Sequence, residues 1–155
     1  MEVTTTTSAE QIARELLAII PRLNRIVARD LRSEFGDETT IVQMRVLAEL
    51  SEAPLTLSAL ARKREVSLQA ASEHVQSLVA RGWVVRVPDL NDRRQALLSL
   101  TEDGLRQLDQ VRDHITRQFT PFTERFTVDE ADKVHEALLT LRRVLIDDEP
   151  PTLTD

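Results

Sequence analysis

The chain of 155 residues contains no cysteine and no tyrosine, and it has only one tryptophan and three glycines. Without cysteine, disulfides, thiolate catalysis, cysteine zinc sites and thiol-based redox sensing are excluded. The isolated glycines Gly36, Gly82 and Gly104 cannot build a G-x-G-x-x-G turn or a P-loop, so the usual nucleotide-binding loops are excluded too. The scarcity of aromatic side chains argues against a stacking platform for single-stranded nucleic acid.

Long hydrophobic runs are also missing. No apolar stretch reaches the roughly 20 residues that are needed to span a bilayer, so no membrane partner is expected. The polar, Thr-rich residues 1–8 lack the basic and apolar regions of a secretory signal. A cytoplasmic location is therefore expected.

Catalytic and metal-binding motifs are absent from the sequence. His74, His114 and His135 are widely spaced, and neither G-x-S-x-G nor H-E-x-x-H occurs. His114 or His135 as a metal ligand is the weaker alternative to a histidine on the surface or packed between helices. The sequence predicts no catalytic residue, no metal site, no cofactor and no enzyme activity.

The chain has a net charge of −6, and this charge is unevenly distributed along the sequence. Residues 55–100 carry seven Lys or Arg and four Asp or Glu, a net +3, whereas the other residues together carry −9. A basic segment between acidic flanks is compatible with a nucleic-acid partner. Chance fluctuation of the charge is the alternative.

The first helix is predicted from Ser8 to Gly36. Ser8 and Gln11 form a capping box, and Pro21 is expected to kink the helix. Apolar residues recur along it at steps of three and four, which is typical of an amphipathic helix with a coiled-coil-like stripe.

Two more helices are predicted in the last third of the chain. Thr101 caps the first of them, which runs to a break near Pro121. A capping box at Thr127 begins the second, whose apolar stripe spans residues 131–145. The acidic, Pro-bearing tail, residues 148–155, is expected to be disordered.

The terminal helices, residues 8–36 and 101–147, are predicted to form a dimerisation region. The first helix is too long to bury its whole stripe in a monomer of this size, so a second copy would cover the rest. A monomeric helical bundle is the alternative. The residues predicted at the dimer contact are Ile12, Leu16, Ile19, Leu138, Leu141 and Leu145.

The middle of the chain, residues 40–100, is predicted to bind DNA. A capping box at Thr40 begins one helix, Thr56 caps a short second one, and Ser67 caps a third that runs to Gly82. Two helices joined by a tight turn, the second with small and amide side chains outward, have the layout of a helix-turn-helix. An ordinary helical hairpin with a solvated face is the alternative.

Two groups of side chains on these helices are expected to contact DNA. Short side chains do not block a major groove, and an amide can pair there with adenine. The predicted recognition residues are Ser67, Gln69, Ala70, Ser72, Glu73, Gln76 and Ser77. The predicted contacts to the DNA backbone are Arg62, Lys63 and Arg64.

A β-hairpin is predicted directly after these helices, with strands at residues 83–87 and 95–100. The fold is therefore expected to be mainly α with a small β-hairpin wing, a winged helix-turn-helix. Arg93 and Arg94 at the tip would reach the adjacent minor groove or backbone, and Asp92 can hold Arg94 extended. Arg86 completes the predicted wing residues. A solvated hairpin with a local ion pair is the alternative.

The hairpin resembles the signature of a known family. Residues 89–94 and 100–104 match the D-x-x-D-x-R…L-T-x-x-G pattern of the MarR family, the multiple antibiotic resistance regulators. The resemblance covers nearly the whole chain. Further matching positions are Leu60, Ala61, Leu78, Gly82 and Arg86.

The resemblance implies a homodimeric, sequence-specific regulator of transcription, usually a repressor, that binds a pseudo-palindromic operator in double-stranded DNA. It implies that the helix from Ser67 reads the major groove, and that Arg94 lies in the minor groove with Asp92 as its partner. It also implies that a small aromatic or anionic ligand can release the DNA. A winged-helix protein-interaction module without DNA binding is the alternative. Glu73 points outward on a helix without Lys or Arg, which leaves the base contacts open.

Overall fold

The computed structural model describes residues 8–36, 39–89 and 95–147, which lie in two compact units, Met1–Ile115 and Thr116–Asp155. The predicted disordered tail, residues 148–155, lies outside the described residues. A π-helical turn, Arg143–Asp147, follows the last helix. The other elements are, in chain order, α1 (Ala9–Phe35), α2 (Ile41–Glu52), β1 (Leu55–Thr56), α3 (Leu57–Lys63), α4 (Leu68–Ala80), β2 (Val84–Pro88), β3 (Ala96–Leu100), α5 (Glu102–Thr123) and α6 (Val128–Arg142).

Side-chain caps begin the helices where the sequence predicted them. Ser8, Thr40 and Thr127 each form a capping box with the residue three positions later. The hydroxyls of Thr56 and Ser67 each accept a backbone N–H at 3.1 Å. These local hydrogen bonds satisfy donors that a helix N-terminus leaves unpaired, which is why the helix starts could be predicted from local sequence.

Neither internal proline ends its helix. Pro21 lies inside α1, and Pro121 lies inside α5, which ends at Thr123. The end of this helix, which the sequence predicted near Pro121, therefore lies two residues after the proline.

The wing is a three-stranded antiparallel sheet in the order β1-β3-β2, rather than a two-stranded hairpin. Strand β2 pairs with one edge of β3, and β1 pairs with the other edge through Leu55↔Leu98 and Thr56↔Leu97. Strand β1 was not predicted, because two residues are too few to show an alternating pattern. It ties the connection between α2 and α3 to the wing.

A hydrophobic core in the first unit joins the helix-turn-helix, the wing and the end of α1. Each fully buried Leu or Val stabilises the fold by about 1.5–3 kcal/mol relative to an exposed one. This core includes residues of both α4 and the sheet, and the opposite face of α4 is left in solvent. The largest fully buried side chains are Leu31, Val46, Leu47, Leu60, Val75, Leu78, Val84 and Leu98.

The apolar stripe of α1 divides into a packed part and an exposed part. Leu31 is buried, and Val27 and Phe35 pack against the core. Ile12 and Ile19, nearer the N-terminus, are 48% and 50% exposed. The exposed half of the stripe is the part for which the sequence predicted a covering second copy.

In the second unit, α6 has no buried residue. Leu138 and Leu145 are 58% and 54% exposed, whereas Leu141 is half-buried. Large apolar side chains exposed at successive helical turns are typical of a surface that another protein covers.

Candidate nucleic-acid interface

The turn between α3 and α4 has the tight geometry of a helix-turn-helix. Glu65 adopts a left-handed conformation with φ of 53°. The N–H of Val66 donates to the carbonyl of Ala61 at 3.0 Å, which closes the end of α3. Ser67 then caps α4 by accepting the N–H of Ala70.

The outward face of α4 carries the amide and short side chains that the sequence predicted there. Gln69, Glu73 and Gln76 are exposed, and Ala70 and Ser72 are half-buried beside them. Two hydrogen bonds run along this face. Gln69 Nε2 donates to Glu73 Oε1 at 3.2 Å, and Gln76 Nε2 donates to Ser72 Oγ at 3.4 Å. These bonds link side chains of this face that lie one helical turn apart.

Ser77 turns toward α2 instead of the outward face. Its Oγ accepts a hydrogen bond of 3.0 Å from Nε2 of Gln43, which is only 7% exposed. This contact joins α2 to α4, and no local pattern could have predicted it, since the two residues are far apart in the sequence. The DNA contact predicted for Ser77 stays a prediction.

The three cations at the end of α3 differ in their surroundings. Arg62 and Lys63 are exposed, and Lys63 Nζ lies 3.0 Å from Glu52 Oε2. Arg64 Nη1 lies 3.2 Å from Glu49 Oε1, in a pair whose side chains are only 11% and 20% exposed. Separating such a mostly buried ion pair costs free energy, because each charge would be left without its partner. The pair holds Arg64 against α2. The contact to the DNA backbone predicted for Arg64 stays a prediction.

The described part of the wing places one predicted DNA-binding residue at the surface. Arg86 is exposed on β2, opposite Leu98 of β3. The N–H of Asp89 donates to the carbonyl of Gln95 at 3.1 Å and continues the ladder toward the tip. The contacts predicted for the tip stay predictions, because Asp92, Arg93 and Arg94 lie outside the described residues.

A polar clamp joins the wing to α5. Thr101 Oγ1 donates to the carbonyl of Gly82 at 2.7 Å and accepts the N–H of Gly104 at 3.0 Å. The backbone N–H of Thr101 donates to the carbonyl of Trp83 at 3.0 Å. The end of α4, the start of β2 and the start of α5 are thereby fixed to one another.

The histidine on α5 is packed against α1, one of the two placements that the sequence left open. His114 Nε2 lies 2.8 Å from Asp30 Oδ2, and its ring meets Phe35 edge-on. Across residues 8–36, 39–89 and 95–147, no three His, Cys, Asp or Glu side chains are grouped so that they could hold a metal ion. Over the same residues, no helix combines the length and the apolar character needed to cross a membrane.

Known proteins share both the sequence pattern and the fold. Residues 39–95 match the sequence model that describes the MarR family. The multiple antibiotic resistance protein MarR of Escherichia coli K12 is 30% identical over 95 residues, which are 60% of this chain and 66% of that protein. The crystal structure of a mutant of E. coli MarR has a TM-score of 0.73 and 26% identity, covering 83% of this chain and 94% of the other.

Two further crystal structures have the same fold. RV1404 from Mycobacterium tuberculosis has a TM-score of 0.78 and 27% identity, covering 96% of this chain and 99% of the other. FabT from Streptococcus pneumoniae was solved in complex with DNA. It has a TM-score of 0.69 and 23% identity, and the match covers 92% of this chain and 100% of FabT.

Proposed function

Because this chain belongs to the MarR family of winged helix-turn-helix transcriptional regulators, we propose that it represses transcription by binding a pseudo-palindromic operator in double-stranded DNA. The observation that carries the proposal is the solvent-facing side of α4, where Gln69, Ser72, Glu73 and Gln76 stand on a helix fixed by a buried core. Short and amide side chains on such a helix can enter a major groove and contact base edges.

In vitro selection from random double-stranded DNA tests this function. A two-fold dimer requires an inverted repeat whose half-sites lie about 10 bp apart, one helical turn, so the enriched sequences should have that symmetry. A chain that enriches no sequence would contradict the proposal and fit the protein-interaction alternative.

We also propose that the protein binds DNA as a homodimer through its terminal helices. The exposed stripe of α1 and the exposed leucines of α6 supply apolar surface that a second copy can cover. Light scattering at micromolar concentration should give the mass of two chains. Leu138→Asp should give the mass of one, because a charge would be buried in the contact at a cost of several kcal/mol. A wild-type monomer at that concentration would contradict the proposal.

The wing is proposed to place Arg94 in the minor groove, with Asp92 orienting it. Arg94→Ala should then weaken DNA binding by about 1–3 kcal/mol, as expected for an arginine that reads a groove. The loss should be larger on narrow A·T-rich grooves, which concentrate negative potential. Asp92→Ala should weaken binding as well, although it removes a negative charge.

Fluorescence anisotropy at one fixed salt concentration separates the two roles of Asp92. If Asp92 orients Arg94, the double variant should bind no worse than Arg94→Ala alone. Arg93→Ala serves as the matched control. It should weaken DNA binding less than Arg94→Ala does, and by the same amount on every DNA sequence, because a contact to the DNA backbone does not depend on the bases. Tighter DNA binding by Asp92→Ala would show that Asp92 only repels phosphate.

We propose further that a small anionic aromatic ligand releases the DNA. A cavity of about 360 Å³ lies between the end of α1 and the start of α2, within the usual size of ligand pockets. It is lined by Ala28, Arg32, Thr39, Thr40, Ile41 and Val42. The guanidinium of Arg32 could pair with an anion there. Because the chain has no cysteine, a thiol switch is excluded, so any sensing is by reversible binding. A thermal-shift screen with phenolic acids tests this part of the proposal.

A further inference from the structure

The charge on α4 is unusual for a helix that enters DNA. Residues Leu68–Ala80 include no Lys and no Arg, and their one carboxylate, Glu73, is exposed on the outward face. A carboxylate brought near phosphates raises the free energy of the complex unless a hydrogen-bond donor of the DNA meets it. The DNA that this helix binds best should therefore supply such a donor.

The hydrogen bond along the face orients the acceptors. Gln69 Nε2 donates to Glu73 Oε1 at 3.2 Å, which holds the carboxylate across one turn of the helix. Within the part of the chain that the structure describes, Glu73 forms no ion pair with a Lys or Arg. A carboxylate only accepts hydrogen bonds, and the amide of Gln69 has already given one N–H to it. The pair therefore presents mainly acceptors to a partner.

We infer that Glu73 selects cytosine at one position of each DNA half-site, an inference that rests on the proposed DNA binding. In the major groove cytosine presents the N4 amino donor, whereas guanine presents the acceptors N7 and O6 and thymine presents the acceptor O4. Adenine places its N6 donor beside the acceptor N7, so it suits a carboxylate less well. Glu73 acts largely by penalising wrong sequences, because its charge is uncompensated on any DNA without a donor there.

In vitro selection with the wild type, Glu73→Gln and Glu73→Ala tests the inference. The wild type should enrich cytosine at one position, and Glu73→Gln should enrich adenine there, since an amide pairs with both N6 and N7 of adenine. Glu73→Ala should show no preference at that position. By fluorescence anisotropy the wild type should favour cytosine over adenine by about tenfold, and Glu73→Gln should reverse that ratio. Both variants should bind random DNA more tightly than the wild type.

Asp113→Asn is the matched control, because it removes an exposed carboxylate from α5. It should leave the selected base unchanged. Circular dichroism should show equal melting of all four proteins, since both sites are exposed. If Glu73→Gln and the wild type select the same base at every position, the inference is overturned while the proposed function stands. A wild type that selects no sequence would overturn both.

Discussion

Gly104→Ala is expected to lower the free energy of unfolding by about 3 kcal/mol, although alanine is intrinsically the better helix former by about 1 kcal/mol. The reason is a close approach at the first turn of α5. A Cβ on Gly104 would collide with the carbonyl oxygen of Trp83, and it would lie 2.9 Å from that carbonyl carbon and 2.8 Å from Leu100 Cδ1. The Trp83 carbonyl cannot move away freely, since it accepts the N–H of Thr101 at 3.0 Å.

Thermal denaturation followed by circular dichroism should show a fall in Tm of roughly 6–12 °C for Gly104→Ala. Gly82→Ala is the matched control. Gly82 has a φ of +72°, and a Cβ added there would have nothing within 4 Å. Gly82→Ala should therefore lower the free energy of unfolding only by the strain of the left-handed conformation, about 1 kcal/mol. Gln110→Ala, at an exposed position of α5, should leave Tm nearly unchanged. A Gly104→Ala protein that melts at or above the wild type would contradict the close approach.

DNA affinity is expected to fall by roughly 10³–10⁵ between 50 and 200 mM salt, if the dimer neutralises 6–10 phosphates and releases their counterions. The whole chain carries a net charge of −6, so attraction must come from local groups. Among the described residues, Arg62 and Lys63 in the last turn of α3 and Arg86 on β2 are exposed, and we expect them to supply this attraction.

Lys63→Gln should reduce the slope of log affinity against log salt by about 2, because each protomer of the dimer loses one phosphate contact. Lys133→Gln is the matched control. Both lysines are exposed and paired with a carboxylate, Lys63 with Glu52 and Lys133 with Asp129. Lys63 lies in the helix-turn-helix, whereas Lys133 lies in α6. Titrations at four salt concentrations give the slopes, and a flat response of the wild type would contradict phosphate binding.

The sequence already contained most of the fold, because its signals are local. Capping residues such as Ser8 and Thr127 mark helix starts within three positions of themselves. Apolar spacing predicted the helices, and the β-branched run at residues 83–87 predicted β2. The second strand of the hairpin was predicted after the polar turn that follows that run. The outward side of α4 was likewise predictable from helical periodicity, so Gln69 and Glu73 were found before their hydrogen bond was seen.

Features that depend on contacts between distant residues appeared only in the tertiary structure. Three polar residues make contacts of this kind, which local sequence could not predict. Ser77 accepts a hydrogen bond from Gln43, and Arg64 pairs with Glu49. From the sequence Thr101 is an ordinary helix cap, but its hydroxyl also donates to Gly82 in the turn between α4 and β2.

By itself the sequence determined where the helices begin, which faces are apolar and which side chains stand outward on α4. The tertiary structure decided that β1 adds a third strand, that Arg64 is held against α2, and that only glycine fits at position 104. The physical reason is the range of the interactions. Caps and helical periodicity act within one or two turns, whereas ion pairs, strand edges and backbone clearances depend on how separate elements pack.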